Sequence, residues 1–132
     1  MQNKLYALLL LALATTATAQ TPDLLLNWAK ALNNDQPLGS NVVGNSIAVD
    51  ASGNTYVTGY FSATADFDPG AGTANLTSVG SADIFIAKYD ASGNYVFAKN
   101  MGGTNLSLGL SLVVDASGNI YITGYFTNTV DF

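Results

Sequence analysis

Asp66 and Asp68, two residues apart in Asp66-Phe67-Asp68-Pro69-Gly70, are the carboxylates in this sequence best spaced for joint chemistry. On a strand, residues i and i+2 face the same way, so both groups would converge on one side. Such a pair suits a hard cation such as Ca²⁺, or the acid and base of glycoside hydrolysis. A turn explains the same residues, because Asp accepts hydrogen bonds from amides two positions on and Pro69-Gly70 completes the bend. We expect the turn. Asp66 and Asp68 stand as calcium candidates that would need oxygen ligands from elsewhere in the chain.

The remaining inventory excludes most catalytic designs. The sequence has no His, Cys, Arg or Glu. Neither a Ser-His-Asp triad nor a Cys-His pair can be assembled, and a nitrogen- or sulfur-ligated zinc site is excluded for the same reason. We expect no catalytic residue, no cofactor and no enzymatic activity. The formal net charge is −5, and the mature chain's only cations are Lys30, Lys88 and Lys99. No basic patch can neutralise phosphates, so nucleic acid is not an expected partner. Tyr56, Tyr60, Tyr121 and Tyr125 form a candidate binding surface, for instance for glycans. Such residues more often pack between neighbouring blades, and packing is the reading we expect.

The elements that must position these residues come from internal repetition. Ser46 to Phe61 reads SIAVDASGNTYVTGYF, and Ser111 to Phe126 reads SLVVDASGNIYITGYF. The match extends to Ala65-Asp66-Phe67 against Val130-Asp131-Phe132. A third Asp-Ala-Ser-Gly-Asn lies between them at Asp90 to Asn94, with different flanks. Each copy reads as a hairpin connection. Asp caps backbone amides, Ala and Ser occupy a type I turn, and Gly takes the left-handed position that creates a bulge. In Thr55 to Phe61, Tyr56, Thr58 and Tyr60 alternate with Val57, Gly59 and Phe61. Bulky groups therefore fall on both faces, as in a sheet covered on two sides.

Two hairpins per unit predict an all-β fold: a partial β-propeller of four-stranded antiparallel blades, with one complete blade and flanking strands. The predicted organisation is a signal peptide over residues 1–19 and a partial propeller over 20–132. Within the latter, residues 20–45 hold the closing strand and loop of a preceding blade. Residues 46–110 form the complete blade, and 111–132 the first hairpin of the next. Leu24 to Leu32 is assigned as that closing strand despite a helix-like composition, because Trp28-Ala29-Lys30 parallels Phe97-Ala98-Lys99. The signal peptide is read from Lys4, the apolar run Leu5 to Ala14, and Ala17-Thr18-Ala19 before Gln20. No later stretch is apolar enough to span a bilayer, so no transmembrane segment is expected after cleavage. Without cysteine, an exported protein depends on packing or on more chain for stability.

Gly53 to Phe61, Asp66 to Gly70, Asp83 to Lys99 and Gly102-Gly103 together resemble the SBBP family, the bacterial beta-propeller repeat. The resemblance implies a secreted or cell-surface protein whose propeller is a binding or structural scaffold for extracellular protein or carbohydrate, with no established catalytic residues to carry over. The alternative is the N-terminal part of a larger secreted enzyme, or a calcium-dependent surface protein with its functional residues beyond position 132. A propeller usually closes with about 4–8 blades, and this sequence stops inside a repeat at Asp131-Phe132. Further blades or self-association are therefore expected.

Overall fold

Each Asp-Ala-Ser-Gly-Asn segment closes on itself through the same hydrogen bonds. The backbone N–H of Asp50 donates to Asn54 O at 3.0 Å and that of Gly53 to Asp50 O at 2.9 Å; the sets at 90–94 and 115–119 match within 0.1 Å. Gly53, Gly93 and Gly118 have φ of 82°, 79° and 84°. A Cβ is strained in that left-handed region, which is why glycine fills the fourth position each time.

These turns join the strands of a computed structural model that describes residues 28–32 and 41–130. The strands are β1 (Val42–Val49), β2 (Thr55–Phe61), β3 (Thr64–Asp66), β4 (Asn75–Thr77), β5 (Asp83–Tyr89), β6 (Tyr95–Met101), β7 (Ser107–Val114) and β8 (Ile120–Phe126). The protein is all-β, with every named strand pair antiparallel and no helix among the described residues. One four-stranded sheet has the order β1-β2-β5-β6; β3-β4 and β7-β8 are separate two-stranded sheets. The signal peptide expected over residues 1–19 lies outside the described residues.

The two long look-alike stretches adopt the same register. Gly44 pairs with Gly59 and Gly109 with Gly124, and an irregularity follows at Gly44/Ser46 and at Gly109/Ser111. The first strands begin at Val42 and Ser107, upstream of the expected unit starts at 46 and 111. Pairing with Phe61 and Phe126 extends each strand past the point where the two sequences stop matching.

The strand expected over Leu24–Leu32 needs correction at its described end. Trp28–Leu32 has neither strand nor helix, and residues 24–27 lie outside the described residues. Trp28 is held by side-chain packing and not by a backbone ladder. Its ring lies 6.3 Å from that of Tyr89, centroid to centroid, and against Gly93.

Burial explains why the central strands carry apolar groups on both sides. On one face, Val57, Phe61, Phe85, Ala87 and Tyr89 form a core with Ala65 and Phe67 from the excursion between β2 and β5. Phe67 meets Phe61 edge-on at 5.4 Å and Phe85 at 4.9 Å, and all three rings are fully buried. Trp28 and Leu32 pack onto the same core. On the opposite face, Tyr56 and Ile86 bury against Leu112 of β7, flanked by Ile120 and Ile122 of β8.

Gly59 of β2 pairs with Gly44 of β1. A Cβ there would collide with the Val43 carbonyl oxygen, a backbone atom that cannot swing aside. Gly59→Ala should therefore cost about 2 kcal/mol or more of stability, read as a lowered chemical-denaturation midpoint. An unchanged midpoint would contradict this packing.

Candidate functional site

The Asp66–Gly70 loop is built around its own backbone. Asp66 Oδ1 accepts from Asp68 N at 3.0 Å and from Ala74 N at 2.7 Å. Asp68 Oδ1 accepts from Gly70 N at 2.7 Å. Between the two carboxylates, Phe67 turns into the core, and its carbonyl accepts from the Tyr89 hydroxyl at 3.1 Å. Burial raises the Tyr89 pKa above its ordinary value and keeps the phenol protonated as that donor. The geometry is that of consecutive Asx turns. No cluster of three or more acidic or metal-ligating side chains occurs among the described residues. Asp66 and Asp68 thus come together as loop-forming residues.

The three repeat aspartates follow the same logic. Asp50 Oδ1 accepts from the backbone N–H groups of Ser52 and Asn54, both at 2.9 Å, while Oδ2 accepts from Asn54 Nδ2 at 2.8 Å. Asp90 and Asp115 repeat all three contacts. Hydrogen bonds to the charged form hold all three carboxyls below their ordinary value. The Asn side chain contributes most at Asp50 and Asp115, and the Asn94 backbone N–H most at Asp90.

The tyrosines separate into two environments. Tyr56 is 3% exposed, with Lys88 Nζ 4.9 Å from its ring centroid, and Tyr60 is half-buried. Tyr121 and Tyr125 are exposed, Tyr121 at 56%. Tyr56 and Tyr121 occupy the same register position and both donate to the repeat aspartate, at 3.2 and 3.3 Å. They differ in what surrounds them: β5 pairs with β2 beside Tyr56 and β7 packs over it, whereas β8 pairs with β7 alone. The four residues therefore do not form one continuous strip.

Hydrogen bonds seal that seam between the sheets. Asn45 Nδ2 donates to Gly109 O at 2.7 Å, and Leu112 N donates to Ser46 Oγ at 3.0 Å. Gly109 lies so close to Thr58 and Gly59 that an added Cβ would come within 2.9 Å of both. Thr58, itself fully buried, turns its hydroxyl onto Phe85 O at 2.7 Å.

Two features escaped the sequence reading. Asp83 is fully buried; its Oδ2 accepts from Val79 N at 3.1 Å and from Asn100 Nδ2 at 3.0 Å, tying the excursion to β6. The Gly102-Gly103 pair is its sequence signal, since any side chain at Gly102 would collide with this carboxylate. The second is a cleft of about 240 Å³ beside Lys30, lined also by Asp68, Gly70, Asn94 and Tyr95. Lys30 is remote in sequence from its partners, so no local motif marks it.

Residues 38–60 match the model of the SBBP beta-propeller repeat. The chain carries an SBBP repeat. It is also 29% identical over 121 residues to an uncharacterized WD repeat-containing protein of Acanthamoeba polyphaga mimivirus, covering 81% of this chain and 8% of that protein. A shorter stretch of 45 residues is 36% identical to the regulatory protein FlaEY of Caulobacter vibrioides, covering 34% of this chain and 5% of that protein. The chain thus spans less than a tenth of the length of either relative. No solved structure matches it.

The depressed pKa values fix the sign of an acid effect. Each aspartate's contribution to stability is complete above its unfolded value and is lost as pH falls through the lower folded one. Asp115→Asn should flatten the loss of stability below about pH 4, measured as melting temperature against pH; a slope identical to the parent's would contradict the assignment. Tyr56→Ala should cost about 3 kcal/mol or more, whereas Tyr121→Ala should cost under about 1 kcal/mol. Equal losses in denaturant titrations would show that β7 does not seal the face over Tyr56.

Proposed function

We propose that this chain is part of an exported, non-catalytic β-propeller that acts as a scaffold, presenting its loops to extracellular protein or carbohydrate. In this reading the sheet β1-β2-β5-β6 is one blade and β7-β8 is the first hairpin of the next. Further blades, from more chain or from another copy, cover the faces that remain open. The contrast between Tyr56 and Tyr121 supports the reading: one side chain, in one hairpin geometry, is buried where β5 pairs beside it and β7 packs over it, and exposed where neither equivalent is present among the described residues. Lateral coverage of that kind is what makes repeat units mutually dependent.

The non-catalytic part of the reading is supported by how the acidic groups are used. The Asp50, Asp90 and Asp115 carboxylates each accept several hydrogen bonds within their turns, and Asp66 accepts two amides of its loop. Groups so occupied are turn-forming. Export is supported by Lys4, the apolar run after it and Ala17-Thr18-Ala19.

The test has two arms. Expressed in a bacterial host with a C-terminal tag, the full chain should be recovered outside the cytoplasm with Gln20 as its N-terminus. The exported protein should retain ligands on a glycan or extracellular-protein array and release them chemically unchanged. Retention in the cytoplasm with residues 1–19 intact, or cleavage of a retained ligand, would overturn the reading.

A further inference from the structure

The second turn differs from the other two in what surrounds it. In a Cβ's place at Gly53 lies Ala91, and at Gly118 nothing lies within reach, but at Gly93 the Trp28 indole comes within 2.8 Å. Gly93 is thus a socket for Trp28, and Trp28 sets Lys30 beside the Asp66–Gly70 loop. The second turn is also the one followed directly by an aromatic residue, Tyr95, where the others are followed by Thr55 and Ile120.

The cleft so formed holds groups whose bonding capacity is not filled by the described residues. Among the described residues no ion pair engages Lys30, which lines the cleft. Asp68 spends Oδ1 on Gly70 N, while Oδ2 lies over Gly72 and accepts from no donor among the described residues. Asn94 spends its amide nitrogen on Asp90 Oδ2 at 2.9 Å and keeps its carbonyl oxygen as an acceptor. The Tyr95 hydroxyl accepts from Ala98 N at 2.9 Å, which fixes the ring beside the cleft. One cation, one anion, a neutral acceptor and a fixed aromatic ring meet around about 240 Å³.

We propose that this cleft binds a single neutral pyranose, with the sugar's C–H face on Tyr95 and its hydroxyls bridging Lys30, Asp68 and Asn94. A hydroxyl both donates and accepts, so a vicinal pair can satisfy the ammonium and the carboxylate together. An anionic ligand would meet Asp68 and a chain of net charge −5, and a cationic one would meet Lys30. The rigid ring lowers the ordering cost of binding. The proposal rests on the scaffold reading and locates one of its binding loops.

Nuclear magnetic resonance titration of the full chain tests it, using methyl glucopyranoside, methyl galactopyranoside and methyl mannopyranoside, with glycine as a zwitterionic probe. At least one pyranoside should shift the resonances of Asp68, Gly70, Asn94 and Tyr95 saturably in the millimolar range. Lys30→Gln and Asp68→Asn should each weaken that binding by about tenfold or more without lowering the melting temperature, since the amide oxygen of the second variant can still accept from Gly70 N. Saturation by glycine alone would overturn the sugar assignment. Shifts centred on Tyr121 and Tyr125 would overturn the cleft while leaving the scaffold reading intact. If none of the probes shifts a resonance saturably, the cleft proposal fails, and the scaffold reading is judged by the export and array experiment.

Discussion

A four-stranded sheet with large side chains on both faces cannot leave either face in water without forfeiting most of its hydrophobic stabilisation. In this protein the two faces are covered by different means. The face bearing Phe61 and Phe85 is closed by the excursion between β2 and β5, which drives Phe67 into the centre, and by Trp28 and Leu32. The face bearing Tyr56 and Ile86 is closed by β7 and β8. One cover is local and the other comes from the separate β7-β8 sheet, so the stability of the two sheets is shared.

That sharing explains the glycines and small polar residues along the seam. Gly109 lets β7 settle onto Thr58 and Gly59, and Asn45 and Ser46 satisfy polar backbone groups of β7 that would otherwise be desolvated without partners. The repeat keeps Ser111 where Ser46 stands but has Leu110 in place of Asn45. A partner for the β7-β8 face would find one of the two seam hydrogen-bonding groups and an apolar side chain instead of the other.

Much of this was legible in the residues because local chemistry determined it. The Asp-Ala-Ser-Gly-Asn turns are closed by their own side chains and a left-handed glycine, and the strands beside them alternate clearly. What distant chain segments decide was not legible. The three-residue strands β3 and β4 have too little sequence to show alternation, and the burial of Phe67 places them. Trp28 has the flanks of a strand or a helix yet is held by a glycine socket and Tyr89. Pro69-Gly70 marks the bend that Asp66 and Asp68 join through their Asx hydrogen bonds, but Lys30 beside Asp68 depends on a fold-level encounter that no spacing encodes.

The central claim is that packing by other strands, β5 beside it and β7-β8 over it, and not hairpin conformation, separates Tyr56 from Tyr121. Hydroxyl-radical footprinting of this chain compares them directly, because Tyr56 and Tyr121 share the same intrinsic reactivity and nearly the same sequence neighbours. The account predicts rapid modification of Tyr121 and strong protection of Tyr56. Equal modification of the two tyrosines would contradict it.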